Sequence, residues 1–380
     1  MTKQAVIYLF PIIAGVFLFF YFAPSLYVNS SELDFETFAL DQETSVYYAK
    51  DKSGRTVHCS DLSDSENCIQ SWKEKGKRDV ALWLGNSQLH AINQMKPGAV
   101  NAPQYFSVAL GKTSQDSITF SQPNANLQEH YILFQYLVDR LKISTLIIAL
   151  VYDDTRETGL RTGIKEALQD ESLMNSVKAS ELSDSLKDIV PFREGESENT
   201  AMEGSYQKYL EDLLVDELNV ISKDWKERTS MRAAISSKLY LYRNTILGIN
   251  SQTKRKKIIG RYNQNLKALT DILISANSKG IKTLVYIVPL RSDIEPPYIK
   301  EEYLSFKEDV SSIARENRVT FMNLENAVPS EFWGMQGGVD LTSSTSIDFM
   351  HFQEEGHKLL AKEIYKALEE NELLKKTNIN

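Results

Sequence analysis

Short apolar runs at residues 80–84, 105–110, 145–152, 282–288 and 318–322 recur along the chain, separated by longer stretches with helical spacing. A strand that is apolar on both faces has to be covered on both faces, and an open parallel sheet achieves this by passing crossover helices above and below itself. The pattern therefore predicts a three-layer α/β fold. Residues 124–142 carry Leu127, Tyr131, Phe134 and Leu137 at helical intervals. Residues 261–278 read as a helix stopped at Gly280, and 354–374 place Leu360, Ile364 and Leu368 on one face. Residues 153–260 break the alternation and read as a helical insertion, a lid or platform, ending in Lys254-Arg255-Lys256-Lys257. That basic run is read as a solvated helix start.

A chain of 380 residues can bury one α/β core and still carry appendages. Its net charge of -8 and the lack of a long basic stripe argue against a nucleic-acid partner. A membrane is the expected one. No charged residue occurs from Gln4 to Ser31, and 5–28 is almost continuously apolar, long enough to cross a bilayer as a helix. Pro11 within it is tolerated in a membrane helix. Lys3 precedes the segment, while Glu32, Asp34 and Glu36 follow it, so the N-terminus is expected in the cytoplasm and the body outside. A cleaved signal peptide is the competing reading, but no small-x-small cleavage site closes the run. The domain reading is an anchor at 1–30, a stalk at 31–78 and a catalytic body at 79–380.

The chain has two cysteines, Cys59 and Cys68. In an extracytoplasmic segment they are expected to form a local disulfide across a polar loop. With only His58 adjacent they make an incomplete zinc ligand set, and no metal or cofactor is expected.

Two sites contain the parts for nucleophilic catalysis. Leu84-Gly85-Asn86-Ser87-Gln88 follows the first apolar run, with Gly85 permitting a sharp bend and 88–95 reading as a helix that Ser87 would open. Asp348-Phe349-Met350-His351 precedes the last helix, close enough for the carboxylate to meet the imidazole across one turn. A serine hydroxyl needs a base, and an imidazole base needs a partner that fixes its tautomer. Of His58, His90, His130, His351 and His357, only His351 has an acid so placed. His90 would point away from Ser87, and His357 reads as structural. The competing role for Ser87 is a helix cap.

In order and spacing these motifs resemble the SGNH (GDSL-type) hydrolase superfamily, over roughly residues 78 to 370. The resemblance implies a flavodoxin-like parallel sheet and a triad of Ser87, His351 and Asp348. It also implies oxyanion donors at the Ser87 N–H and at Gly111, which stands where the second sequence block has its glycine. The chain departs from the pattern at Asn86, where Asp is commoner, and at Val151-Tyr152-Asp153-Asp154, where an asparagine donor is usual. These departures are similar to the membrane-anchored branch of alginate O-acetyltransferases and teichoic acid D-alanyl transfer proteins. That branch works beside a membrane-bound O-acyltransferase on a cell-envelope or secreted glycan.

Arg291, in the loop after the fourth run, is a candidate for binding an anionic substrate group, with an ion pair to Asp293 or Glu295 as its alternative. Trp333 is a candidate for stacking on a sugar, with burial in the core as its alternative. The functional expectation is a serine-dependent O-acyltransferase. A membrane-anchored esterase or lipase and a non-catalytic scaffold are the competing readings.

Overall fold

The computed structural model describes residues 44–178, 239–337 and 345–375. The chain forms two compact units, and one of them, spanning 42–192, 251–337 and 345–380, holds the sheet and all the candidate residues named above. Of the other, residues 239–250 are described, and they are helical over 239–247. The segment read as an anchor and residues 179–238 of the insertion lie outside the described residues. Among the described residues no helix is long and apolar enough to cross a membrane.

The main unit begins with β1 (Thr44–Val46), β2 (His58–Cys59), α1 (Ser65–Glu74), β3 (Asp79–Gly85), α2 (Ser87–His90) and β4 (Ala91–Asn93). There follow α3 (Ala102–Leu110), β5 (Gln115–Ser121), α4 (Leu127–Val138), β6 (Ile143–Leu150), α5 (Thr162–Ala167) and α6 (Glu171–Lys178). After the insertion come α7 (Ile259–Ser278), β7 (Lys282–Ile287), α8 (Lys300–Glu316) and β8 (Thr320–Asn323). The chain closes with β9 (Trp333–Gly337), β10 (Thr345–Phe352) and α9 (Glu354–Glu370).

A six-stranded parallel sheet runs β2-β5-β3-β6-β7-β8. Apart from the edge strand β2, this is a doubly wound order: the chain steps from β3 to β5 on one side, then crosses back to β6 on the other. The reversal opens a crevice at the C-terminal end of β3. Every residue of β3 is buried. Val80, Leu82 and Leu84 pack in the core with α1, α4, α7 and α8, while Ala81 and Trp83 pack with α3 and α9. Helical layers on both faces account for the apolar runs that alternate with no polar side.

Three expectations are corrected. Residues 105–110 are not the second strand but lie in α3, where Asn101 accepts the Gln104 N–H at 3.2 Å as a cap and Ala102, Phe106 and Leu110 bury one helical face. The strand in that place is β5, whose alternate residues Gln115, Ser117, Thr119 and Ser121 are polar yet buried, so hydropathy conceals it. The helix expected over 88–95 is the single turn α2, because Ala91–Asn93 pair antiparallel with β1. Residues 44–78, read as stalk, are part of the body: β2 extends the sheet beside β5, α1 buries Ile69 and Trp72, and the Cys59–Cys68 disulfide joins the two at a Cα–Cα distance of 6.3 Å.

Candidate active site

The crevice at the end of β3 receives Ser87 from one side and β10 from the other. Gly85 closes β3 where a Cβ would lie 2.5 Å from Leu89 Cδ1 and 3.2 Å from Ala149 Cβ, so a larger residue would have to push the buried Leu89 side chain aside. Asn86 caps α2 by accepting the Gln88 N–H at 3.1 Å, which leaves Ser87 half-buried at the opening of the turn. Because α2 is four residues long it brings no long helix dipole to Ser87, and the N–H groups of Gln88 and Leu89 are taken by Asn86 Oδ1 and Asn86 O.

Asp348 and His351 lie within a strand, where residues three apart would face opposite sides. The pairing of β10 with β9 is interrupted between Ile347 and Phe352, and the chain bends there. Asp348 Oδ1 then accepts the N–H groups of Met350 at 2.8 Å and His351 at 3.0 Å. Its Oδ2 lies 3.0 Å from His351 Nδ1, and His351 Nε2 lies 2.9 Å from Ser87 Oγ. An ionised carboxylate only accepts, so Nδ1 carries the proton and the Nε2 lone pair faces the serine hydroxyl. Burial works to raise the Asp348 carboxyl, but electrostatic attraction to His351 and the hydrogen bonds from His351 and Met350 outweigh it and hold the group below its usual value.

Gln88 ties these parts together and was not singled out from sequence. Its buried Nε2 donates to Pro289 O at 2.9 Å and to Met350 O at 2.8 Å, linking the serine turn to the loop after β7 and to the residue before His351. Nothing local in the sequence marks this, since both acceptors are main-chain atoms about 200 residues or more away.

The remaining candidates fall elsewhere. Gly111 caps the C-terminus of α3 and gives its N–H to Ser107 O at 3.1 Å. It precedes β5, and the register Asp79↔Gln115 puts it at the N-terminal edge of the sheet, about 20 Å from the end that carries Ser87. It is therefore no oxyanion donor. The residue that does follow β5, Gln122, gives its N–H to Gly85 O at 3.0 Å.

Arg291 is committed within the protein. It pairs with Asp293 at 2.7 Å through Nε, and its Nη1 donates to Gly334 O at 2.7 Å. The same Nη1 lies 3.5 Å from Asp348 O, so the guanidinium braces the triad strand and is not a substrate anchor. Trp333 is buried, donates Nε1–H to Val328 O at 3.2 Å and meets Phe352 edge-on at 5.3 Å, which makes it core and removes it as a stacking platform.

His90 and His357 stand apart from Ser87. His90 Nδ1 lies 2.7 Å from Ser121 Oγ, and His357 donates Nε2–H to Ala91 O at 3.1 Å. After β6, Asp153 pairs with Arg156 at 3.0 Å and with Arg255 and accepts from Tyr298 Oη at 3.1 Å, so that position supplies no neutral amide donor. Asp154 is buried, accepts the Val151 N–H at 2.9 Å and approaches Asn86 Nδ2 at 3.4 Å. Burial pushes its carboxyl well above the usual range. Among the described residues no cluster is arranged to hold a metal ion.

No family model matches the chain, and no curated protein matches it. Solved structures do. A GDSL-like lipase from Bacteroides thetaiotaomicron aligns with 80% of this chain and 98% of its own at 11% identity, with a TM-score of 0.35. An acetylxylan esterase from Geobacillus stearothermophilus aligns with 80% of this chain and 97% of its own at 9% identity, with a TM-score of 0.36.

Proposed function

We propose that the chain is an SGNH-type serine enzyme that moves an acyl group through a Ser87 ester onto a glycan hydroxyl. The hydrogen-bonded series Ser87–His351–Asp348 carries this reading. Ser87 Oγ attacks the donor carbonyl while its proton passes to His351 Nε2. The bond to the leaving group then breaks, and the leaving group takes that proton. In the second half a sugar hydroxyl gives its proton to His351, attacks the Ser87 ester and displaces Oγ, which is reprotonated. Asp348 keeps the imidazole in one tautomer throughout and stabilises the imidazolium. The Ser87 N–H is the donor nearest the developing oxyanion.

The same first half serves an esterase, in which water replaces the sugar. Transfer is preferred because the apolar 5–28 segment suits a body held at a membrane, beside a membrane-bound O-acyltransferase that supplies the acyl group. An oxidising, extracytoplasmic location agrees with the Cys59–Cys68 disulfide.

Labelling with a fluorophosphonate probe tests the core of the reading. The wild-type chain is expected to label and Ser87→Ala is not. Acyl-enzyme breakdown in the presence of glycan or of buffer alone then separates transferase from hydrolase. A wild-type chain that stays unlabelled while still supporting glycan acylation in cells would establish a scaffold instead.

A further inference from the structure

Asp348 Oδ2, the oxygen that faces His351, has a second donor. Asn93, at the end of β4, is completely buried, and its Nδ2 lies 3.2 Å from that oxygen. The same amide nitrogen reaches Met335 O at 2.8 Å and Thr44 Oγ1 at 3.2 Å. Its other end is left bare: Asn93 Oδ1 is buried without a partner. Turning the amide over would set Oδ1 against a carboxylate and a carbonyl, so the donor orientation is the one the surroundings demand. An unpaired buried acceptor is unfavourable, and a smaller apolar residue would avoid it. The amide is therefore present for what its N–H groups do.

We infer that Asn93 is a positioning residue of the triad, acting through Asp348; this rests on the acyl-transfer reading of Ser87, His351 and Asp348. With Met350 N–H and His351 N–H on Oδ1, and Asn93 N–H and His351 Nδ1–H on Oδ2, the carboxylate is bonded on both oxygens and its rotation is fixed. The carboxylate thus stays ionised in a buried place, aimed at the imidazole. Gly334 belongs to the same device. A Cβ there would lie 1.7 Å from Asn93 Oδ1 and 2.6 Å from its Cγ, so glycine in β9 is what admits the amide at this depth.

The test uses the full chain, with p-nitrophenyl acetate turnover and fluorophosphonate labelling of Ser87 as readouts. Asn93→Ala is expected to lower kcat roughly 10- to 100-fold with KM little changed, since it loosens the base and not the acyl site. Asn93→Asp is nearly isosteric but sets a second carboxylate on Asp348, and it is expected to move the acid limb of kcat/KM to higher pH. A purely structural role would not produce that shift. Gly334→Ala displaces Asn93 while leaving the triad residues intact, and is expected to reproduce the kcat loss. If Asn93→Ala fails to fold, Asn93→Asp and Gly334→Ala decide. Folded variants that keep the wild-type kcat and acid limb overturn the inference while the triad reading survives. A wild-type chain that neither turns over the ester nor labels overturns both.

Discussion

Ser87, His351 and Asp348 act as one unit if the proton is to travel from Oγ to Nε2 while Oδ2 holds Nδ1. Single replacements at Ser87 and His351 are therefore expected to cost about as much as the double replacement. Losses of p-nitrophenyl acetate turnover that multiply in the Ser87→Ala, His351→Ala double variant would contradict this. Folding should be nearly indifferent, since Ser87→Ala removes a half-buried hydroxyl and changes stability by no more than about 1 kcal/mol. Asp348→Asn is expected to cost no more than removal of His351, because it misorients the base without deleting it.

The elements divide between those that hold the site and those that hold the edge. Arg291 bridges the segment after β7 to Gly334 in β9 and to the main chain at Asp348. Arg291→Ala is accordingly expected to lower both thermal stability and kcat, without a selective rise in KM for anionic over neutral esters. A selective rise would restore the substrate role. At the far edge the disulfide ties β2 to α1. Replacing Cys59 and Cys68 together by serine should lower stability by roughly 2–3 kcal/mol for so short a loop, read from the denaturation midpoint, with Ser87 labelling retained in the folded fraction.

For the whole molecule, the buried histidines are expected to contribute to the loss of stability in acid. Burial lowers His58 well below its ordinary value and brings His130 and His357 down to about 3. These groups stay neutral in the fold, whereas the unfolded chain takes up protons below 6.5. Their contribution to stability is thus fully present above pH 6.5 and is lost as pH falls toward 3. Neither ring nitrogen of His130 has a partner, so His130→Leu should flatten the fall of melting temperature over that range. An unchanged slope would place the acid sensitivity elsewhere. Truncation tests the organisation of the chain: removing 1–31 should leave the main unfolding transition in place. Removing residues through 50 should not, because β1 pairs with β4 and Thr44 meets Asn93.

Periodicity and local chemistry were enough to read the layered α/β class, the strands near 80–84, 145–152, 282–288 and 318–322, and the pairing of Asp348 with His351, because each rests on neighbours close in sequence; that this pair meets Ser87, 264 residues away, is decided by the folded chain. The second strand was not readable that way: β5 is buried with polar residues on alternate positions, while the apolar segment before it is a helix capped by Asn101. Gly111, Arg291 and Trp333 have residue types that suit a site, but a hydrogen bond to Ser107, a brace on Gly334 and packing on Phe352 give each a different place. Gln88 and Asn93 show the converse. Their acceptors include carbonyls and a carboxylate brought near by the packing of β9 and β10 against α2 and β4, and only the folded chain places them together. Sequence spacing determines what a residue can do with its neighbours, and the tertiary structure decides which distant polar atoms must share a buried space and be satisfied there.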